Sequence, residues 1–286
     1  MVKTASRVST YMSSPVIMAH RTDSLAHVRN LMIRHKIGKV VITDAEGRRV
    51  EGIVSKSDFV RVVYNKKRYV KPLSNIMAYE IMSSPVYAIP PGRTIKSAAH
   101  AMIKRKIGSL LVIEGSALPS GIITKADLVR AYSEKYVGRF QVKDFMNDKP
   151  PTVHPTHSLY YVIDLMNESG IGKVVVCEGG KVVGVITKSD VMFLNLDTFL
   201  RRRVKYYKRM GVVGRGFEGV VRFYTMPLAG DLMTPDPITV GENEDLAMAA
   251  DVMVKNGVGT LPVTDEEGNL RGLLTKYDVL RALRKV

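Results

Sequence analysis

A hydroxyl, an ammonium and a carboxylate share one four-residue frame at four places in the chain. These are Ser55-Lys56-Ser57-Asp58, Thr124-Lys125-Ala126-Asp127, Thr187-Lys188-Ser189-Asp190 and Thr275-Lys276-Tyr277-Asp278. A Ser or Thr three residues ahead of an acid is a capping box. The hydroxyl is expected to accept from backbone N–H groups at the helix start, and the carboxylate suits the positive end of the helix dipole. Such a cap stabilises a helix by roughly 1 kcal/mol. The same groups also suit an anion. Free N–H groups and a hydroxyl at a helix N-terminus receive a phosphate, and a carboxylate accepts from both hydroxyls of a sugar diol. The lysine runs against the capping role, because a cation in the first turn opposes the dipole. A bound polyphosphate would reverse that penalty. Inheritance by duplication onto a solvated face accounts for Lys56, Lys125, Lys188 and Lys276 equally well.

The elements that carry these frames repeat with them. Each frame lies 18 to 20 residues, counted to its aspartate, beyond a glycine: Gly38, Gly108, Gly172 and Gly259. Counting back from those glycines, 26 places gives Met12, Met82, Met146 and Met233. Thirteen places gives Leu25, Ile95, Leu159 and Leu246, and six gives Met32, Met102, Met166 and Met253. Between these anchors the apolar residues fall at helical spacing, as in "SLAHVRNLMIRHK" and "DLAMAADVMVKN". Two short β-branched runs follow, separated by turn residues such as "DAEG", "EGG" and "DEEG". The frame then opens a second helix. Every unit thus predicts an extended lead-in, a helix, two strands and a helix. Four such copies set the architecture before any other feature does.

The Met at the start, the Ile/Val-Gly before the strands and the Ser/Thr-x-x-Asp at the last helix together resemble the cystathionine-β-synthase (CBS) domain. The fourth copy, "VGTLPVTDEEGNLRGLLTKYD", carries the pattern most fully, with Pro262 where the other copies have Val41, Leu111 and Val175. The resemblance implies an α/β fold of four CBS domains, each a small sheet packed with two helices. These pair as two Bateman modules, repeat 1 with 2 and repeat 3 with 4, without a catalytic domain. The boundaries expected are 8–64, 75–135, 143–196 and 229–286, with a basic aromatic insert at 197–228. It also implies that the frame holds an adenine nucleotide (AMP, ADP, ATP or a relative), a ligand the fold does not require. The candidate residues are Ser55, Lys56, Asp58, Thr124, Lys125, Asp127, Thr187, Lys188, Asp190, Thr275, Lys276 and Asp278.

Charge is the other signal. Lys and Arg number 43 against 27 Asp and Glu, a net of +16, which speaks to partners and solubility. It is unevenly spread: +9 over residues 1–70, +6 over 71–140, −1 over 141–195 and −4 over 231–286. The segment 196–230 alone carries +6 and interleaves cations with aromatics. Arg201, Arg202, Arg203, Lys205, Lys208, Arg209, Arg215 and Arg222 sit among Tyr206 and Tyr207, and Lys66, Lys67 and Arg68 form a smaller echo. Cations for phosphates beside aromatics for bases suit unpaired RNA. An acidic protein partner, a solvated surface and an anionic membrane are the alternatives, the membrane being the least favoured.

Other chemistry finds little support. One cysteine, Cys177, excludes an internal disulfide and reads as a packed side chain in a reducing cytoplasm. His154 and His157 lack acid or thiol companions for a metal. The glycines Gly211, Gly214, Gly216 and Gly219 lack the Gly-Lys-Ser/Thr ending of a phosphate loop and suit a hairpin. No stretch reaches the length of a membrane span. The reading is a non-enzymatic cytoplasmic regulator with no metal. It docks on RNA, the ribosome included, restrains translation and is tuned by adenine nucleotide. The alternative is a free-standing nucleotide sensor that acts on an enzyme or transporter through protein contact. A homodimer is compatible with either.

Overall fold

The computed structural model describes residues 6–63, 72–115, 118–193, 204–206, 221–223 and 227–286. The chain forms two compact units, one of residues 1–150, 180–182 and 237–286 and one of residues 151–179 and 183–236.

In the first unit, repeat 1 runs β1 (Met18–His20), α2 (Leu25–Arg34), β2 (Lys39–Thr43), β3 (Val50–Ser55) and α3 (Lys56–Val63), after a short α1 (Val8–Tyr11). Repeat 2 runs β4 (Ala88–Ile89), α4 (Ile95–Lys104), β5 (Ser109–Val112), β6 (Gly121–Thr124) and α5 (Lys125–Lys135). The first helix of each begins on a hydroxyl cap: Ser24 Oγ accepts from His27 N at 3.2 Å, and Thr94 Oγ1 from Ser97 N at 3.1 Å. The extended lead-in pairs as a third strand of each sheet. β1 pairs parallel with β2 and β4 parallel with β5, while each following pair is antiparallel.

The same unit holds the body of repeat 4. Its elements are β13 (Val240–Gly241), α9 (Leu246–Lys255), β14 (Thr260–Thr264), β15 (Leu270–Thr275) and α10 (Lys276–Lys285). Helices α4 and α5 share one apolar core with α9 and α10, and the anchors found by counting back from the glycines lie inside it. Ile95 and Met102 meet Leu246 and Met253 there, with Leu128, Tyr132, Leu280 and Leu283. Burying each such side chain is worth about 1.5–3 kcal/mol. Ala98, Ala99, Ala131, Ala249, Ala250 and Ala282 are buried among them, and small residues where helices meet shorten the interaxial distance.

The second unit contains β7 (Thr152–Val153), α6 (Leu159–Glu168), β8 (Lys173–Glu178), most of β9 (Lys181–Thr187) and α7 (Lys188–Phe193). The antiparallel strands β10 (Val204–Tyr206) and β11 (Val221–Phe223) belong to it too, with α8 (Ala229–Leu232) and β12 (Thr234–Pro235). The sheet order is β12-β9-β8-β7. Leu159, Val162, Ile163 and Met166 give α6 its buried face.

The starting methionines stitch the repeats together. Met82 lies on Gly52 of repeat 1, Met12 on Gly121 of repeat 2, Met233 on Gly184 of repeat 3 and Met146 on Gly272 of repeat 4. A Cβ at any of these glycines would meet the methionine sulfur at 2.5–2.7 Å. Each glycine stands three residues ahead of a frame hydroxyl. The neighbouring backbone pairs as well, Ser13 with Ile122, Ser83 with Ile53 and Asn147 with Leu273. Repeat 1 is therefore exchanged with 2, and 3 with 4, as two Bateman modules.

Candidate functional site

The four frames form the same corner. In each, the backbone N–H and the hydroxyl of the Ser or Thr both donate to one oxygen of the aspartate. The N–H distances are 2.8 Å for Ser55, 2.8 Å for Thr124, 2.7 Å for Thr187 and 2.9 Å for Thr275. The hydroxyl distances are 2.5, 2.8, 2.8 and 2.6 Å in the same order. The expected carboxylate stands at each helix start, and the hydroxyl donates to it. Thr187 Oγ1 accepts from a helix amide as well, Ser189 N at 3.2 Å.

The second carboxylate oxygen separates the corners. Asp58 Oδ1 accepts from Arg61 Nη2 at 3.0 Å and from Ser83 Oγ at 3.2 Å, and the residue is buried. Asp278 Oδ1 accepts from Arg281 Nη1 at 3.3 Å and is likewise buried. Those arginines reach on to the partner repeat's lead-in, Arg61 to the Ile81 carbonyl and Arg281 to that of Phe145. Arg130 does the same to the Tyr11 carbonyl at 3.0 Å. The sequence pattern singled out neither Arg130 nor Arg281. Asp127 and Asp190 are half-buried and bond their own Thr through Oδ2. Burial holds the Asp127 carboxyl above the usual carboxylate range, against the two Thr124 bonds and Arg130.

The four frame lysines are half-buried. Each frame lysine N–H donates to the carbonyl of its anchor glycine: Lys56 to Gly38, Lys125 to Gly108, Lys188 to Gly172 and Lys276 to Gly259, at 3.2–3.4 Å. Burial lowers the Lys125 ammonium, with Asp278 of the opposite corner acting against it. Burial lowers Lys276 too, with Lys56 adding to the effect and Asp127 opposing it. Lysine and carboxylate of repeats 2 and 4 thus lie within electrostatic reach of each other. Lys125 Nζ also stands 5.1 Å from the Tyr277 ring centroid.

Sequence reasoning missed the residue after each anchor glycine. Lys39 pairs across its hairpin with Ser55, Ser109 with Thr124 and Thr260 with Thr275. Lys39 Nζ donates to Ser109 Oγ at 2.9 Å, so repeats 1 and 2 meet through this position. Gly108 faces both Lys39 Nζ and Lys125 Cε, at 2.9 and 3.5 Å from where its Cβ would stand. Burial and the Lys125 charge push the Lys39 ammonium down to about 8, with Asp58 opposing. Thr260 Oγ1 is buried and has no hydrogen-bond partner among the described residues. Two lysine side chains converging on Gly108, each with its ammonium lowered by burial, suit an oxygen-rich anion.

The remaining candidates fall elsewhere. Arg201, Arg202, Arg203, Tyr207, Lys208, Arg209, Arg215, Lys66, Lys67 and Arg68 lie outside the described residues, as do Gly211, Gly214, Gly216 and Gly219. Lys205 and Tyr206 are on β10 and Arg222 on β11, with Lys205 directly opposite Arg222 in the ladder. Cys177 is half-buried and burial raises its thiol. The His154 and His157 rings stand 6.4 Å apart, and no metal-binding cluster occurs among the described residues. No helix among them is long and apolar enough to cross a membrane.

Comparison with known proteins adds the following. The family described as CBS domain matches residues 8–65, 78–134, 142–197 and 229–285. The protein MJ1225 of Methanocaldococcus jannaschii is 24% identical, over 93% of this chain and 94% of its own. Its crystal structure, described as that of a proposed archaeal homologue of g-AMPK, superposes with a TM-score of 0.77 at 22% identity, covering 96% of this chain and 99% of that one. A conserved protein from Pyrococcus horikoshii superposes with a TM-score of 0.64 at 20% identity, covering 97% and 99%. A 33.4 kDa protein in the ribosomal RNA operon of Thermofilum pendens is 25% identical, over 95% of this chain and 89% of its own.

Proposed function

The chain belongs to the CBS-domain family, and from that membership we propose that it is a regulatory protein, not an enzyme, whose ligand is an adenine nucleotide. The first unit holds the favoured site. Lys39, Lys125 and Lys276 bind the phosphates, and Asp127 accepts from the ribose hydroxyls through its second oxygen. Lys56, Ser55, Thr124 and Thr275 shape the pocket wall. Asp58 and Asp278 serve first as structural links to their arginines. Thr187, Lys188 and Asp190 form the corresponding corner of the second unit. The observation that carries this reading is the crowding of Lys39 and Lys125 against Gly108 beside Ser109. Two lysines at depressed proton affinity are costly unless an anion shares them.

Titration of the full chain with ATP, ADP, AMP and adenosine tests this. Affinity should fall in that order, and a combined Lys39→Met, Lys125→Met variant should lose at least tenfold for ATP while adenosine changes little. Equal affinity for all four ligands would remove the phosphate-binding role.

A second reading is favoured by the charge distribution. The excess of cations over residues 1–140 and 196–230, beside a fourth repeat of net −4, suits docking on RNA, and ribosomal RNA is the abundant structured form. Nucleotide occupancy would then tune that docking and restrain translation. The place of the Thermofilum pendens relative in a ribosomal RNA operon is in keeping with it. The log of RNA affinity should fall steeply with the log of salt; a flat dependence excludes it. Protein contact with a regulated enzyme or transporter is the outcome if nucleotide binds and RNA does not.

A further inference from the structure

We infer that the outward face of α4 is a docking groove for single-stranded RNA, an inference that rests on the RNA reading above and gives it a surface the insert does not supply. The groove encloses about 850 Å³ and is lined by Arg93, Lys96, His100, Lys104, Arg105 and Arg284 over a floor from Ala88 to Pro90. No Asp or Glu lines it. Among the described residues none of its Arg or Lys side chains lies within ion-pair distance of an Asp or Glu, although such partners are near for Arg21, Arg61 and Arg271. Lys96 Nζ donates instead to the Val286 backbone oxygen at 2.9 Å.

The arrangement follows from the helix. Ile95, Ala98, Ala99 and Met102 turn one side of α4 into the core. Lys96, His100 and Lys104 then fall four residues apart on the other side, about 6 Å per step. Arg93 and Arg105 extend the row at both ends, and Arg284 of α10 joins from the flank. At one end the Arg105 guanidinium lies over the Tyr87 ring, 4.7 Å from its centroid, and Tyr87 is 37% exposed. A row of cations with no acidic side chain among them neutralises consecutive phosphates, and an exposed Tyr–Arg stack supplies a platform for an unpaired base.

Charge and stacking together select the partner. A membrane surface would need apolar side chains facing outward from α4, and those are consumed in the core. An acidic protein would meet the cations but would have no use for the aromatic platform.

Binding of a labelled oligouridylate to the full chain over a salt series decides the matter. A Lys96→Gln, Lys104→Gln, Arg105→Gln variant should bind at least tenfold more weakly at low salt, with the log–log salt slope reduced by about 2, at roughly 0.7 for each phosphate no longer neutralised. Tyr87→Ala should weaken binding while leaving the slope unchanged. Single Lys104→Gln repeats the first measurement should the triple variant melt early. If the groove variants bind like the parent while Arg201→Ala, Arg202→Ala, Arg203→Ala loses affinity, the groove is overturned and the RNA reading stands. If the parent itself does not bind, both fall. If the groove variants lose only polyglutamate or anionic vesicles, the partner is not RNA and the inference is overturned.

Discussion

Lys39 Nζ donates to Ser109 Oγ at 2.9 Å, which joins the residue after the anchor glycine of repeat 1 to its counterpart in repeat 2. Lys125 approaches the same point from the helix that follows. The arrangement gathers positive charge where burial penalises it, and an anion bound there would relieve the penalty.

Removing that charge should therefore stabilise the empty protein. Lys39→Met is expected to raise stability by on the order of 1 kcal/mol at pH 7, discounted for solvent screening of a half-buried group. The same change should weaken ATP binding by at least tenfold. Thermal melting with and without ATP checks both signs; a variant that melts lower and binds ATP equally well would contradict the assignment.

The pH dependence carries its own sign. Lys39 titrates near 8 in the folded chain and near 10.5 when unfolded. Between those values the unfolded chain holds more protons, so this group's contribution to stability rises with pH and is least favourable below about 8. Anion affinity should run the other way and fall as pH rises through 8, because the ammonium is lost. Affinities measured from pH 7 to 9 test it, and a flat profile counts against Lys39.

The aspartates should separate stability from binding. Asp58→Ala strands Arg61 beside Ser83 and should cost about 2–3 kcal/mol, with a small effect on nucleotide affinity. Asp127→Ala should cost about 1 kcal/mol and weaken nucleotide binding roughly tenfold. Chemical denaturation and calorimetric titration of both variants compare the two. The reverse pattern would move the ribose to repeat 1.

The close approach of the methionines predicts a sharp intolerance. A Cβ at Gly272 would stand 2.9 Å from the Asn147 carbonyl oxygen and 2.7 Å from Met146 Sδ. Gly272→Ala should cost about 1–3 kcal/mol through overpacking. Gly92→Ala, with nothing within 4 Å of its added carbon, should be neutral. Paired melting curves suffice to check this.

What the sequence made legible was whatever repeats as the same residue type. The anchors Leu25, Met32, Ile95 and Met102 recur at fixed offsets because a helix face must meet a core at each copy, and all four are buried. The frames recur because each closes a corner at a helix start. The partner of Met82 could not be read, since Gly52 lies in another copy and no local spacing links them. Lys39, Ser109 and Thr260 share one register position but not one residue type, so only the hairpin geometry shows them as equivalents. The groove on α4 could not be read either, since Arg284 lies in another copy and no local spacing links it to Lys96 or Lys104.

Proton uptake on ATP binding tests the lysine site most directly. Calorimetric titration at pH 8 in buffers of different ionisation heat should show about half a proton taken up per ATP, as the phosphate draws Lys39 to full protonation, and none in Lys39→Met. ATP binding with a heat independent of buffer, or the same uptake in the variant, would contradict the account.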